Sequence, residues 1–206
     1  MKSNHVKSIV TILIGLGLPW SVHAGEFHFS AAITYAQGIN DAVDKLDDLY
    51  TAAGFTFDKD VVIPVGLSLS PYYEFDCGLG IGANVGPTSF IVIDTRTFSG
   101  GSSSHNIDVS YIIPVGADLR YTFLRDKNVS PYLRVGVRYP IVGGPNMDSS
   151  QPGPYGGVGL ELWRTKRVGM GVEVGYDASR VTVNGPTGNT KEVTFAGLTA
   201  SLFVRF

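Results

Sequence analysis

The chain is short of several things. It has one cysteine, Cys77, so no intramolecular disulfide can form, and a metal site built on that thiol would have to recruit other ligands. Charged residues make up 17% of the 206 positions, where about a quarter is usual for a soluble domain. There is no basic excess, with 16 Lys and Arg against 18 Asp and Glu, which argues against a nucleic-acid binder with its basic face. Beyond residue 24 no segment reads as a membrane helix. The longest uncharged stretch, Cys77 to Ile93, is broken by glycines, Asn84 and Pro87.

What is abundant is glycine, at 26 residues, together with 10 tyrosines and 11 phenylalanines. The first segment reads as a secretory signal. Lys2 and Lys7 precede an apolar, uncharged run from Ile9 to Trp20, and Val22-His23-Ala24 offers small residues at the positions a signal peptidase reads. Cleavage is expected after Ala24, giving residues 1–24 as signal peptide and 25–206 as one mature domain. An uncleaved anchor is disfavoured because it needs about 20 apolar residues. The mature chain keeps 14 basic residues (16 less Lys2 and Lys7) against 18 acidic, a net −4.

An exported, apolar chain without a membrane helix leaves a soluble all-β domain or a barrel whose apolar residues alternate around its wall. The alternation is explicit. Val168, Met170, Val172, Val174 and Tyr176 oppose Gly169, Gly171, Glu173, Gly175 and Asp177. Leu133, Val135, Val137 and Tyr139 oppose Tyr132, Arg134, Gly136 and Arg138. Leu198, Ala200, Leu202, Val204 and Phe206 oppose Thr199, Ser201, Phe203 and Arg205. The second face is glycine with spaced charges, which suits a narrow barrel interior. The first face then contacts lipid and needs no polar partner.

Strands are predicted near 26–37, 60–75, 78–94, 107–123, 131–142, 154–165, 167–182 and 192–206. Short connections at Asp76-Cys77, Leu124 to Ser130 and Thr165-Lys166 alternate with long ones at Gly38 to Lys59, Thr95 to Asn106, Gly143 to Gly153 and Val183 to Lys191. Short turns on one rim and long loops on the other mark a closed antiparallel transmembrane β-barrel of about eight strands. Pro87 interrupts the third segment, where a bulge or a strand end above the membrane is expected. In the first long loop Ile39, Val43, Leu46 and Tyr50 recur at helical spacing, predicting a short amphipathic helix over 40–53 with Asn40 and Gly54 at its ends. Ile63-Pro64-Val65-Gly66 and Ile113-Pro114-Val115-Gly116 form a weak repeat, each leading to a Tyr-x-Phe triplet. Tyr73, Phe75, Tyr121, Phe123 and Phe206 gather toward the short-turn ends, and Tyr35, Tyr111, Tyr139 and Tyr176 toward the long loops, as two girdles would. Trp163, Phe195 and Phe203 fall by parity on the inward set.

The final stretch, Leu198 to Phe206, resembles the last strand of bacterial outer-membrane proteins, with Phe206, Val204 and Leu202 at alternate apolar positions. With the signal segment and the Pro-Val-Gly strands, the mature chain resembles the small OmpA/OmpX/OmpW-type barrel superfamily. The resemblance implies location in a Gram-negative outer membrane, contact with its lipid, and recognition of the C-terminal strand by the barrel-assembly machinery. It says little about activity.

By parity Glu74, Asp118, Glu161, Glu173 and Asp177 face inward with Arg120, Arg134, Arg138 and Arg205. An eight-stranded barrel is just wide enough for side chains to fill it, so a packed lumen whose charges satisfy one another is expected. A gated polar path lined by the same residues is the alternative. Outer-membrane lipid deacylases use a Ser–His pair, but His28 with Ser30, and His105 after Ser102-Ser103-Ser104, sit in no recognised motif and have no evident acid to orient them. Two mature histidines and one thiol give no metal-ligand spacing, and Gly100-Gly101 and Gly143-Gly144 are loop glycines rather than phosphate cradles. No cofactor is implied. The long loops, rich in Gly, Ser, Asn and Pro, are candidates for a surface ligand. The expected role is structural or interactive at the cell surface, without enzymatic activity. Behind it stand a passive, porin-like conduit for small solutes, apolar ones included, and, third, a lipid-modifying enzyme.

Overall fold

A computed structural model describes residues 25–62, 65–99, 102–195 and 197–206, with the backbone alone over 56–62, 89–99 and 102–108. The expected signal segment and the side chain of His105 lie outside the described residues. The elements are β1 (Glu26–Ala36), α1 (Gly38–Ala52), β2 (Thr56–Val62), β3 (Val65–Glu74), β4 (Leu79–Val85), β5 (Ser89–Ser99), β6 (Ser102–Thr122), β7 (Val129–Gly143), β8 (Met147–Gln151), β9 (Gly153–Leu162), β10 (Gly169–Asp177), β11 (Arg180–Asn184), β12 (Thr190–Thr194) and β13 (Gly197–Arg205).

Eight strands, β1, β3, β4, β6, β7, β9, β10 and β13, pair in that order, all antiparallel. The ring closes where β13 returns to β1, in register from Ser30↔Arg205 to Ala36↔Thr199. Closure leaves the wall without an edge, which a spanning sheet requires because lipid cannot satisfy free backbone groups.

Four of the predicted strands prove to be two elements each. The 60–75 segment is β2 and β3, and only β3 is in the wall. The 78–94 segment stops at Val85, because Pro87 has no N–H to continue the ladder. Gly86, at φ +106°, turns the chain out and donates its N–H to the Pro114 carbonyl at 2.7 Å. β5 then pairs with β2 and with the upper part of β6, as far as Ser99↔Ser102. The segment expected as a loop at 95–106 is therefore largely strand, paired within β5 and β6, and residues 100–101 between them are outside the described residues. The 167–182 segment ends its wall strand at Asp177, whose carboxylate accepts the Ser179 N–H at 2.9 Å in a local turn that competes with the ladder. β11 beyond it joins β8 and β12 in a separate three-stranded sheet. The 192–206 segment is likewise β12 and β13, separated at Phe195 and at Gly197, which has φ +47°.

Helix α1 starts at Gly38, two residues before the expected start at 40. Gln37 is the N-cap, while Asn40 lies inside the first turn and donates to the Tyr35 hydroxyl at 3.4 Å. Gly54, at φ +82°, follows the helix end. One face of α1, with Ile39, Ala42, Val43, Leu46, Leu49 and Tyr50, is buried against Ile112, Met147, Val181, Val183, Val193 and Phe195. This i, i+3, i+4 stripe and the β8–β11–β12 sheet form an apolar cap over the long-loop mouth. The Tyr50 hydroxyl donates to Asn146 Oδ1 at 2.7 Å, pinning the helix to the β7–β8 connection.

The barrel inverts the polarity of a soluble domain. Leu67, Val135 and Leu202 are 68%, 58% and 60% exposed, while Glu74, Glu161 and Asp177 are buried. Tyr111 and Tyr121 both face outward on β6. With about 3.4 Å per residue and a tilt of about 40°, the strand between them rises roughly 26 Å, the height of a lipid-facing band. Tyr73 and Phe75, and Tyr121 and Phe123, stack edge-on at 5.1 and 4.8 Å on the short-turn rim.

Candidate functional site in the barrel lumen

The lumen-facing positions alternate between glycine and large polar side chains, and the two are complementary. A Cβ on Gly159 or Gly171 would overlap the rings of Tyr132 and Phe203, so each of these glycines is the floor on which an aromatic ring lies. The interior is thereby filled in three tiers.

At the short-turn end Glu161 is the hub. Arg120 Nη2 lies 3.0 Å and Arg205 Nε 3.3 Å from its carboxylate, and the Tyr72 hydroxyl donates at 3.4 Å. Arg164 pairs with both Glu161 and Glu74, and Thr122 donates to Glu74 at 3.0 Å. In the middle tier Arg134 spans Asp118 at 2.7 Å and Glu173 at 3.5 Å. Asn84 donates to Asp118 at 2.7 Å. Tyr132 donates to Glu173 at 2.7 Å, and Tyr155 donates to the same carboxylate. At the top Arg138 pairs with Asp177 at 3.4 Å. Arg120 and Arg138 also lie over the rings of Tyr132 and Tyr155, each at 3.6 Å, which compensates guanidinium nitrogens that lack hydrogen bonds.

All nine charged residues placed inward by parity are in the lumen. Arg164 joins them from the β9–β10 turn, making five arginines and five carboxylates among the described residues. It is missed by alternation because Trp163, at φ +56°, reverses the parity. Trp163 is 54% exposed instead of inward, and Arg164 takes the inward place. One signal was present. The β6–β7 turn, Leu124-Arg125-Asp126-Lys127, matches Trp163-Arg164-Thr165-Lys166 in pattern, in a positive φ at the first residue, and in the bond from the Lys N–H to the first carbonyl, 2.8 and 2.9 Å.

The middle tier holds a cavity of about 30 Å³ among Ser30, Ser70, Asp118, Arg120, Glu173 and Ser201, room for a water or two. His28 stacks on Tyr72 at 5.0 Å and accepts from Arg205, whereas the Ser30 hydroxyl donates to the Ser70 carbonyl. Those two do not form a nucleophile–base pair. Phe203 lies inward and buried, and Phe195 is buried in the cap rather than the lumen. Leu202, Val204 and Phe206 face outward on and beside β13, and Cys77 is exposed in the β3–β4 turn.

No protein-family model matches the sequence, and a search of curated proteins finds no match. Solved structures do match. The outer membrane protein OprG from Pseudomonas aeruginosa aligns over 89% of this chain and 96% of its own at 14% identity, with a TM-score of 0.55. AlkL in lipid bilayers aligns over 92% and 93% at 15% identity with a TM-score of 0.48, and Neisserial surface protein A over 89% and 98% at 17% identity with a TM-score of 0.46. Identity this low speaks to fold, and the OprG alignment carries it: this chain has the closed eight-stranded architecture of small outer-membrane barrels.

Proposed function

We propose that the protein is an integral outer-membrane barrel with a structural or surface-interaction role and a lumen that does not conduct. The single observation carrying this reading is charge pairing in the interior, where among the described residues five arginines face five carboxylates around a cavity of about 30 Å³. The apolar cap over the long-loop mouth supports it. On this reading the lipid-facing band contacts outer-membrane lipid, Phe206, Val204 and Leu202 present the assembly signal to the barrel-assembly machinery, and the capped loops offer the surface for a ligand. A non-enzymatic role fits a His28 committed to Arg205 and Tyr72.

The test is single-channel conductance of the refolded mature chain in planar bilayers, once heat-modifiable migration shows that it is folded. A silent barrel is expected. Steady, reproducible openings would replace this reading with the conduit for small solutes. Arg134→Ala sharpens the test, since loss of heat resistance is expected when Glu173 and Asp118 lose their shared cation. Unchanged heat resistance with raised conductance would count against a packed lumen.

A further inference from the structure

Below the lowest tier, at the short-turn rim, the barrel opens into a vestibule of about 540 Å³. Its walls carry five Lys and Arg side chains against two acids, Glu26 and Asp126. Three of those cations are spoken for. Arg164 and Arg205 pair with lumen glutamates, and Arg125 lies 3.3 Å from Asp76. Lys166 and Arg167 are exposed in the turn and have no acidic partner among the described residues.

His28 supplies the independent observation. It is 7% exposed and lines the vestibule. Its Nδ1 lies 3.1 Å from Arg205 Nη1. A guanidinium only donates, so Nδ1 is the acceptor and the neutral imidazole carries its proton on Nε2. That Nε2–H has no hydrogen-bond partner. The nearest acid is Glu26, 3.6 Å away with a side chain 71% exposed and able to swing aside. A buried donor without an acceptor, beside two unpaired cations in a concave site, calls for an anion with several oxygen acceptors.

We propose that this vestibule is a phosphate-binding site, in which Lys166, Arg167 and the Nε2–H of His28 hold phosphate oxygens. Phe27 and Phe206, 68% and 56% exposed, flank it on the lipid-facing side. The group can therefore come from a phospholipid headgroup at the rim or from free phosphate.

The test uses the full mature chain in a phosphate-free glucoside detergent. Inorganic phosphate and short-chain phosphatidylglycerol are titrated separately, followed by calorimetry and by the imidazole nitrogen signals of His28. Saturable binding that moves the His28 signals is expected, weakened by about tenfold or more in Lys166→Gln/Arg167→Gln. That variant removes exposed turn charges outside the buried network, and heat-modifiable migration verifies its fold. Tighter binding of the lipid assigns the site to headgroups, and equal or tighter binding of inorganic phosphate assigns it to the free ion. Absence of saturable binding by both probes, undiminished binding in the variant, or binding without a His28 response overturns the proposal. Lumen conductance does not enter any of these outcomes.

Discussion

Arg164 illustrates how much one turn residue can carry. Glu161 also has Arg120 and Arg205 as partners, but among the described residues Glu74, 2% exposed, has only Arg164 and the hydroxyl of Thr122. Arg164→Ala therefore leaves Glu74 as a buried, uncompensated charge. A loss of about 3–5 kcal/mol is expected in urea unfolding from micelles. Arg164→Lys should recover only part of it, because a point charge cannot bridge two carboxylates as a planar fork does. Replacing Glu74 and Arg164 together by Leu and Met should recover most, and a double variant as unstable as Arg164→Ala would refute the account. Gly159→Ala acts through shape. The added methyl pushes the Tyr132 ring from its floor and breaks its bond to Glu173, an overpacking cost of about 1–3 kcal/mol in the same assay. The parity of nine lumen charges can be counted from the sequence because a strand repeats every two residues. Arg164 cannot be, since the backbone at Trp163 resets the count in a turn that has no period.

The elements divide in the same way. Wall strands are legible because lipid on one side and a tight lumen on the other impose strict alternation. Beyond the wall, alternation is a weaker guide: Phe90-Ile91-Val92-Ile93 of β5 is continuously apolar, while β11 keeps the period with Val181 and Val183 between Arg180, Thr182 and Asn184. Pro87 signals that the chain leaves the wall before β5, which then pairs with β2; for β11 only the non-local partner β8 shows it. The buried stripe of α1 is written in its spacing, yet its docking on Val181, Val193 and Phe195 is not, since those residues arrive from the distant β11–β12 hairpin and the residue that follows it. Leu46 is fully buried in that cap, so Leu46→Ala is expected to cost about 2–5 kcal/mol locally. The readout is faster amide exchange in α1, β11 and β12 with little change in the wall strands. Equal acceleration everywhere would mean that cap and barrel unfold as one unit. At the exposed edge of the cap, hydrogen bonds from Lys191 and Lys45 hold the Asp48 carboxyl below its ordinary pKa. A depressed carboxyl contributes stability that is complete above its unfolded value and is lost as pH falls through the folded one. The α1–β12 contact should therefore loosen only in that acidic window. Because the group is solvent-exposed, the effect is small, is screened by salt, and is absent in Asp48→Asn. The check is amide exchange of α1 across the window.

At the scale of the whole molecule two solvents decide the arrangement. Outward apolar side chains gain nothing by burial in protein if lipid already surrounds them, and inward charges are tolerable only because each finds an opposite charge. The lipid-facing surface is thus the surface that water could not support. Exposed apolar residues run from the short-turn girdle to Tyr35, Tyr111, Tyr139 and Tyr176 without a charged interruption on the described wall faces. This fixes the depth at which the barrel sits, and Trp163 reports it. The chain has two tryptophans, and loss of residues 1–24 would remove Trp20 and leave Trp163 alone in the mature barrel. Trp163 projects outward from the β9–β10 turn, at the level where amphipathic rings meet lipid headgroups. In vesicles of brominated phospholipid its fluorescence should be quenched more strongly by bromine near the glycerol end of the acyl chain than by bromine at mid-bilayer. Stronger quenching from mid-bilayer would place the turn inside the hydrocarbon and shift the whole band. No quenching from either depth would place the turn in water and shorten the membrane-spanning part of every strand.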